Sequence, residues 1–543
     1  MRAIPIDVTK TVLRDPSIRR VLFAFLMFSI AEQAAWIAML LVAYQRGGVG
    51  HVGLAASGLL VGSIVLAPFL AVTPDRYPDR PVMAWGLSAV GATLALCAVS
   101  VGFNWPSALF YGSAAAATAL ESFARPTMAS RLPLVAETAD QLTAARVAMG
   151  FAETTGALAG PILVGLMLSV RPVADALGAA ALIAIIGAAV AATVRLPRRP
   201  ATDDDFITPS AGLALRHGIA QLRGSNAALR VALIIAILAL LLGAIDVSLA
   251  AIAVQLLGRH EASVGLLAGA LGAGGVGGAG LAMLLVGRRR LGLAVVTTVL
   301  AAAVGIVGLG LSRSTPVTLA LLALIGGAMA CSQVACQTLI QGLTPTDTIG
   351  RIFGLVESLE MLGMAAGGLA VSALVGLTDF DTTLVLLGLL AMAFALGLGP
   401  TLAAIDANRK PLDPSLLRLL RSVPIFAPLP AYTLEQLVAH TGHVSLDPGE
   451  RLMTIGEPGE TIYIVGAGTV QVILADGTRF ERGVGAYMGE IAILRNCPRS
   501  ATVEAGPAGM SAYSIDREVF LGAVTGVPRA LARAEAEMAR RLD

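Results

Sequence analysis

Apolar runs of about twenty residues recur along the chain from residue 21 to about 405, separated by short polar or arginine-bearing segments. A helix needs roughly 20 such residues to cross a bilayer. The runs fall at 21–44, 52–72, 82–102, 107–129, 143–168, 175–194, 231–256, 263–286, 291–311, 316–339, 351–376 and 382–404. This pattern predicts an α-helical membrane protein with twelve transmembrane helices. After residue 405 the pattern changes. Charges return, and short β-type runs appear at 451–455, 461–465, 469–474 and 501–503. Pro448-Gly449, Pro458-Gly459 and Asp476-Gly477 mark turns between them. Helical stretches are predicted at 416–421, 433–440, 516–524 and 528–542. The second part therefore reads as an α+β domain.

Arginine placement sets the orientation. The N-terminal tail, the 73–81 loop, the 195–230 segment, the loop of Arg288, Arg289 and Arg290 and the segment after 405 are basic. The alternate loops carry only Arg46, Arg171, Arg259 and Arg313. Both termini and the α+β domain are expected in the cytoplasm, with the helices in the plasma (inner) membrane of a bacterium. The layout is a tail (1–20), a six-helix bundle (21–194), a central loop (195–230), a second six-helix bundle (231–404), a linker (405–422) and the terminal domain (423–543).

The two helical halves are alike. Arg20-Val21 opens the first run as Arg230-Val231 opens the seventh, with Gln45 and Gln255 each 25 positions after the arginine. Val52-Gly53-Leu54 returns as Val264-Gly265-Leu266, and Glu153, Gly156 and Gly160 return as Glu360, Gly363 and Gly367. The shared offset of about 210 residues predicts two six-helix pseudo-repeats, the layout of a rocker-type transporter.

Composition agrees. Hydrophobic residues make up 56% of the chain and charged residues 14%, against about 25% charge in soluble domains. Sixty glycines suit closely packed membrane helices. A net charge of +2 gives no nucleic-acid footprint. Cys97, Cys331, Cys336 and Cys497 form no CxxC pair, so neither a metal site nor a disulfide framework is expected. No catalytic triad or ATP loop is visible, and the chain is not expected to be an enzyme. Gly272, Gly274 and Gly277 satisfy GxGxxG, but they lie inside an apolar run with no strand before them. They read as helix-packing positions rather than a nucleotide fingerprint.

Two local patterns carry a family resemblance. Pro74-Asp75-Arg76-Tyr77-Pro78-Asp79-Arg80 follows the second run, and Gly156-Ala157-Leu158-Ala159-Gly160-Pro161, then Gly165, lies in the fifth. The first is similar to the loop of glycine, aspartate and basic residues of the major facilitator superfamily, without its leading glycine. The second resembles the glycine-proline motif common in that family's exporters. Over roughly 15–405 the chain resembles this superfamily, which implies a secondary transporter with a small-molecule substrate.

Ionisable residues inside spans are expensive and usually functional. The candidates for transport and proton coupling are Glu32, Glu121, Arg125, Glu153, Asp246, Glu357 and Glu360. At 1.5 Å per residue, Glu32 lies roughly 18 Å from Arg20 and Glu153 roughly 15 Å into its helix, depths that suit a central cavity. A carboxylate there can load and release a proton as the cavity changes side. Arg125 follows Glu121 by four residues, so an ion pair within one helix is the competing expectation for those two. An interhelical hydrogen bond is the competing one for Glu357. Asp246 is expected deeper toward the outside.

The richest motif is Gly489-Glu490-Ile491-Ala492-Ile493-Leu494, followed by Pro498-Arg499-Ser500-Ala501-Thr502-Val503. A glycine before a short helix can offer backbone N–H groups to an anion. An arginine can hold a phosphate by charge-assisted hydrogen bonds, and a carboxylate can accept a sugar hydroxyl. Together they describe a pocket for a ribose bearing a singly charged phosphate. The stretch resembles the phosphate-binding cassette of the cyclic nucleotide-binding domain over about 415–543, a β-roll with flanking helices. Pro448-Gly449-Glu450, Gly456, Gly459-Glu460 and Gly468 fall where that roll turns. The resemblance implies backbone contacts from Gly489, Ile491 and Ala492, Glu490 on the ribose hydroxyl, Arg499 on the cyclic phosphate, and Ser500 on phosphate or base. Met488 stands where an aromatic is common. The expected regulatory ligand is cAMP or cGMP, with cAMP favoured.

The combined expectation is a proton-coupled, exporter-like secondary transporter in the lipid bilayer, regulated by cyclic nucleotide. The alternatives are a membrane sensor that no longer transports and a lysophospholipid or lipid translocator. A cyclic nucleotide-gated channel is disfavoured, because neither a TVGYG-like filter nor an arginine-striped helix occurs.

Overall fold

The computed structural model describes residues 15–71, 82–135, 139–194, 226–285, 291–343, 349–408, 414–429, 433–434, 437–438, 440–495, 497–525 and 533–534. The Pro74–Arg80 pattern, the Arg288–Arg290 loop, most of the 195–230 segment and most of the predicted 528–542 helix lie outside them. Two compact units are present, a helical one ending at Asn408 and a mixed one whose described part begins at Pro414.

The helical unit comprises α1 (Pro16–Ala71), α2 (Val82–Gly102), α3 (Ser107–Val135), α4 (Ala139–Leu168), α5 (Val173–Ala192), α6 (Asn226–Ala251), α7 (Ser263–Leu285), α8 (Leu291–Leu311), α9 (Thr315–Leu343), α10 (Ile349–Val375) and α11 (Phe380–Asn408). A π-helical turn, Ile252–Leu256, extends α6. Among the described residues, ten helices are long and apolar enough to cross a membrane. The twelve predicted spans differ from these ten at two places. The first two predicted spans are one element, α1, broken where Gly47 is extended and Gly48 takes φ +67°, a conformation that favours glycine. The predicted fourth span, α3, bears Glu121, Arg125 and Arg131 and does not qualify by apolarity. Large apolar side chains such as Leu182, Leu266, Leu390 and Leu396 stand exposed on the outside of the unit, as a lipid-facing surface requires.

The repeat is visible in the packing. Gly160 of α4 lies against Ile30 and Ala34 of α1, and Gly367 of α10 lies against Leu240 and Ala244 of α6. Ile30 and Leu240, like Ala34 and Ala244, are 210 positions apart. In each pair the neighbouring backbone leaves no room for a Cβ, so the glycine permits the close approach.

The same symmetry joins the halves. Gly53 meets Gly368 and Ser372, while Gly265 meets Pro161 and Gly165. Ser57 Oγ donates to Ala365 O, and Ser372 Oγ donates to Gly50 O, each at 2.7 Å. Gln45 Nε2 donates to Glu261 at 2.5 Å. These contacts gather at the end of the unit where α1 breaks at Gly48. Gly272 and Gly274 of the GxGxxG stretch pack α7 against Ala157 of α4 and Ala323 of α9, and Gly278 beyond it meets Gly327 of α9, whereas Gly277 faces open space.

The second unit begins with α12 (Pro414–Ser422) and continues through β1 (Gly442–Leu446), β2 (Arg451–Met453), β3 (Thr461–Leu474), β4 (Arg479–Arg482), β5 (Tyr487–Met488), α13 (Glu490–Arg495), β6 (Ala501–Asp516) and α14 (Arg517–Thr525). The sheet is antiparallel, ordered β1-β6-β3-β4, with β2 on β6 and β5 on β3. The two predicted strands 461–465 and 469–474 form one strand, whose register against β6 shifts between Val465 and Ala467 and again between Gly468 and Val470. Gly468 has φ +80° at the second irregularity. A core of Leu420, Ile425, Phe426, Ile464, Ile515 and Phe520 binds the flanking helices to the sheet, with Phe426 and Phe520 edge to face at 6.0 Å.

Candidate functional site

A cavity of about 550 Å³ lies between the halves of the helical unit. Glu32, Gln33 and Trp36 of α1, Glu121 and Ser122 of α3, Asp246 of α6, Gln333 of α9 and Glu360 of α10 face it. Leu60, Leu238, Leu242, Leu271 and Met364 supply apolar wall. Four of the predicted acids therefore meet in one place, drawn from both repeats.

Their partners differ from those the spacing suggests. Arg125 does not turn to Glu121 one helical turn away. Its Nη2 donates to Glu32 Oε2 at 2.6 Å and its Nη1 donates to Glu153 Oε1, so one guanidinium bridges α1, α3 and α4. Glu121 is buried at 5% exposure, and its Oε1 has no hydrogen-bond partner. Asp246 accepts from Trp36 Nε1 at 3.3 Å, and Glu360 accepts from Gln333 Nε2. Trp36 and Gln333 are site residues that the search for charges passed over. A signal for Trp36 existed, because it precedes Asp246 by the repeat offset of 210. Glu153 reaches the cavity acids only through Arg125, and Glu357 is exposed and does not face the cavity.

In the mixed unit, the predicted cassette is built between two crossing loops. Gly489 has φ +93°, which turns the chain from β5 into α13 and sets Glu490, 2% exposed, at its first position. Arg499 is 6% exposed and anchored at four points. Its backbone N–H donates to Glu457 O at 2.8 Å, and its carbonyl accepts from Gly456 N at 2.9 Å. Its Nη1 donates to Gly489 O at 3.1 Å and its Nη2 to Thr461 O at 2.7 Å. The guanidinium carbon lies 5.9 Å from the Tyr463 ring centroid.

Glycine is needed at both ends of this arrangement. A Cβ on Gly489 would meet the Arg499 guanidinium and Thr461 O, and one on Gly459 would strike Ala492 Cβ. Burial pulls the Arg499 pKa below its usual value, yet a guanidinium stays charged at physiological pH. Among the described residues, no carboxylate lies within ion-pair distance of it. A buried cation held by carbonyls, with Glu457, Glu460 and Glu490 acting on it only from beyond ion-pair distance, can take an anion. Ala492 is buried behind it, Ile491 is half-buried, and Ser500 is exposed at the edge.

Comparison with known proteins agrees with this division. The profile of the Major Facilitator Superfamily matches residues 21–368, and that of the cyclic nucleotide-binding domain matches residues 443–525. The chain is 38% identical over 72 residues to the cGMP-dependent protein kinase egl-4 of Caenorhabditis briggsae, covering 13% of this chain and 10% of that one. It is 36% identical over 88 residues to the cyclic nucleotide-gated potassium channel mll3241 of Mesorhizobium japonicum, covering 16% and 24%. It is also similar in structure to the regulatory subunit of a cAMP-independent protein kinase A from Trypanosoma brucei, with 27% identity, a TM-score of 0.21, and coverage of 22% of this chain and 45% of that one. The chain thus spans a quarter or less of the length of these two curated relatives.

Proposed function

Because the chain belongs to the Major Facilitator Superfamily and carries a cyclic nucleotide-binding domain, we propose that it is a proton-coupled secondary transporter, exporting its substrate, whose rate a cyclic nucleotide sets. The observation that carries this reading is the cavity between the repeats, walled by Glu32 and Glu121 from one half and Asp246 and Glu360 from the other. A site shared by both halves is exposed to alternate sides when they rock against each other. Buried acids in such a site can carry protons with or against a substrate. Twelve spans follow if α1 is counted as two and α3 as one. The basic loops favour a cytoplasmic position for both termini and the mixed unit, which would make the Gly48 end the outer side.

In the mixed unit, Arg499 supports cyclic phosphate recognition, with Glu490 on the ribose hydroxyl and the backbone of Gly489, Ile491 and Ala492 around the phosphate. cAMP is the favoured ligand, and the exposed Ser500 would touch phosphate or base. The relatives' names include both cGMP-dependent and cAMP-dependent kinases. Four acids on the cavity wall disfavour the lipid-translocator alternative, because a phosphate headgroup would be repelled.

The test uses the full-length protein in liposomes containing a pH-sensitive dye. Amphipathic compounds of positive, zero and negative charge are added across an imposed pH gradient, with and without cAMP or cGMP on the side of the mixed unit. We expect proton flux with at least one compound, reduced in Glu32→Gln and Glu153→Gln and altered several-fold by nucleotide. Wild-type flux in both variants removes the proton role, and no flux with any compound removes the transport reading.

A further inference from the structure

Taking from that reading only that the two halves rock apart, we propose that His51 is a proton-operated brace on the Gly48 end: neutral, it holds the end closed, and protonated, it lets the end open. His51 stands just past the break in α1. A Cβ on Gly47 would strike its Cβ and Cγ, so the side chain packs directly on the break. Its Nε2 shares a hydrogen bond of 2.6 Å with Tyr111 Oη of α3, and the two rings meet edge to face at 5.6 Å. Contacts with the other half flank it. Gly50 O accepts from Ser372 Oγ, and Gly53 lies against Gly368 and Ser372. The brace therefore fixes the stretch of α1 on which the closure is built.

Arg46 makes the brace sensitive to charge. Its guanidinium carbon lies 4.7 Å from the Phe110 ring centroid and 5.6 Å from that of Tyr111. Ring faces attract a cation, but they do not cancel its charge. Among the described residues no carboxylate lies within ion-pair distance of Arg46, and its buried Nη1 has no hydrogen-bond partner. Tyr111 thus stands between a permanent cation and an imidazole. Neutral His51 adds no charge and can accept the Tyr111 proton through Nε2. In the protonated ring both nitrogens are donors. That acceptor is then lost, and a second positive charge is set near Arg46 with no carboxylate to balance it. Imidazole ordinarily changes charge between about pH 5 and 8. The form in which this stretch leaves Tyr111 and Arg46 binds the proton more tightly, so acid shifts the equilibrium toward it.

The other ionisable groups of this end are engaged elsewhere or exposed. Arg171 faces Asp175, and Arg313 faces Asp381. Tyr44 accepts from Gln255 at 3.4 Å, and Glu261 accepts from Gln45. Arg259, His260 and Asp379 are exposed. Glu261, which also joins the halves, and its neighbour His260 are the rival proton sites.

The test uses the full-length protein in liposomes with spin labels on Asn104→Cys and Ser314→Cys, loop positions on opposite halves at this end. Cys497→Ser keeps the half-buried cysteine from taking label. The label distance is followed from about pH 8 to about pH 5. We expect the ratio of long to short distances to rise roughly tenfold, the change produced by a one-unit difference in proton affinity between two forms. His51→Gln, neutral at every pH and still able to bond Tyr111, should stay short throughout, and Arg46→Gln should shrink the rise. A flat wild-type profile overturns the proposal. So does an undiminished rise in His51→Gln, which would hand the proton to Glu261 or His260. If His51→Gln fails to fold, Tyr111→Phe takes its place. With the bond gone, the long distance should prevail at the alkaline end as well, and a wild-type profile in that variant overturns the proposal.

The distance needs no substrate. Acid-induced opening without flux of any compound would therefore sink the transport reading and leave the brace standing. Flux with a flat distance profile would do the reverse.

Discussion

Arg125 and Arg499 are both cations in confined surroundings, and their partners give them opposite roles. Arg125 is saturated by two carboxylates, so its charge is spent on holding α1, α3 and α4 together. Breaking a fully buried ion pair costs about 3–5 kcal/mol. Arg125 is 31% exposed and Glu153 54%, and screening reduces the loss, so Arg125→Gln should destabilise by about 1–2 kcal/mol. Adding Glu32→Gln and Glu153→Gln to it should recover much of that stability while transport stays lost, as thermal unfolding and flux on the same preparations would show. Arg499 is held by carbonyls and leaves its charge available. A hydrogen bond to a charged group is worth about 1.5–3 kcal/mol. Arg499→Ala should therefore weaken cyclic nucleotide binding at least tenfold by calorimetry, with the sheet still folded by circular dichroism. Unchanged affinity would remove the cassette assignment. Arg499 was legible from its ten-residue distance to Gly489 within a dense motif. The partners of Arg125 were not, because i,i+4 spacing speaks only for neighbours on one helix and Glu32 is 93 positions away.

At the scale of elements, glycines do two jobs that substitution can separate. Gly160 and Gly367 let helices approach inside one half, whereas Gly53 and Gly265 let the halves approach each other. Overpacking costs about 1–3 kcal/mol. Gly160→Val or Gly367→Val should lower thermal stability by that order. Gly53→Val or Gly265→Val should instead favour separation at the Gly48 end. Spin labels on Asn104 and Ser314, in loops on opposite halves at that end, would then report a longer distance; an unchanged distance would mean that these contacts do not set the closure. The long helices were readable because apolar runs of bilayer length have few other uses. The kink at Gly48 was hidden in a run of polar and small residues that looks like any loop. The strands β1, β4 and β5 carry too few apolar residues to show alternation. They exist because β6 and β3 supply partners along their length. Trp36 and Gln333 escaped because neutral side chains become part of an acid cluster only once the helices are assembled.

For the whole molecule, the proposed regulation is an energetic link between two separately folded units. A ligand at 100 times its Kd stabilises the unit that binds it by about 2.7 kcal/mol. If the units are coupled, heating with saturating cAMP should raise the transitions of both. If not, only the mixed unit should shift, and the helical unit should melt as it does without nucleotide. Coupling of about 1–3 kcal/mol would change transport roughly 5- to 150-fold at most, and Arg499→Ala should remove the change. Equal rates with and without saturating nucleotide in the wild type would leave a binding domain with no regulatory role.

The hydrogen bond between Trp36 and Asp246 has a consequence for how such a chain arises. The two residues are equivalent positions of the repeat, and they touch each other. In an ancestral pair of identical halves, one residue type would have faced its own copy there: two indoles with donors and no acceptor, or two carboxylates in repulsion. In this chain the two equivalent positions differ, one a donor and the other an acceptor. The pair should therefore be heritable as a unit. Trp36→Asp alone places two acids in contact, and Asp246→Trp alone leaves two donors. The exchange Trp36→Asp with Asp246→Trp restores the match, and in a thermal unfolding series it should be more stable than either single replacement.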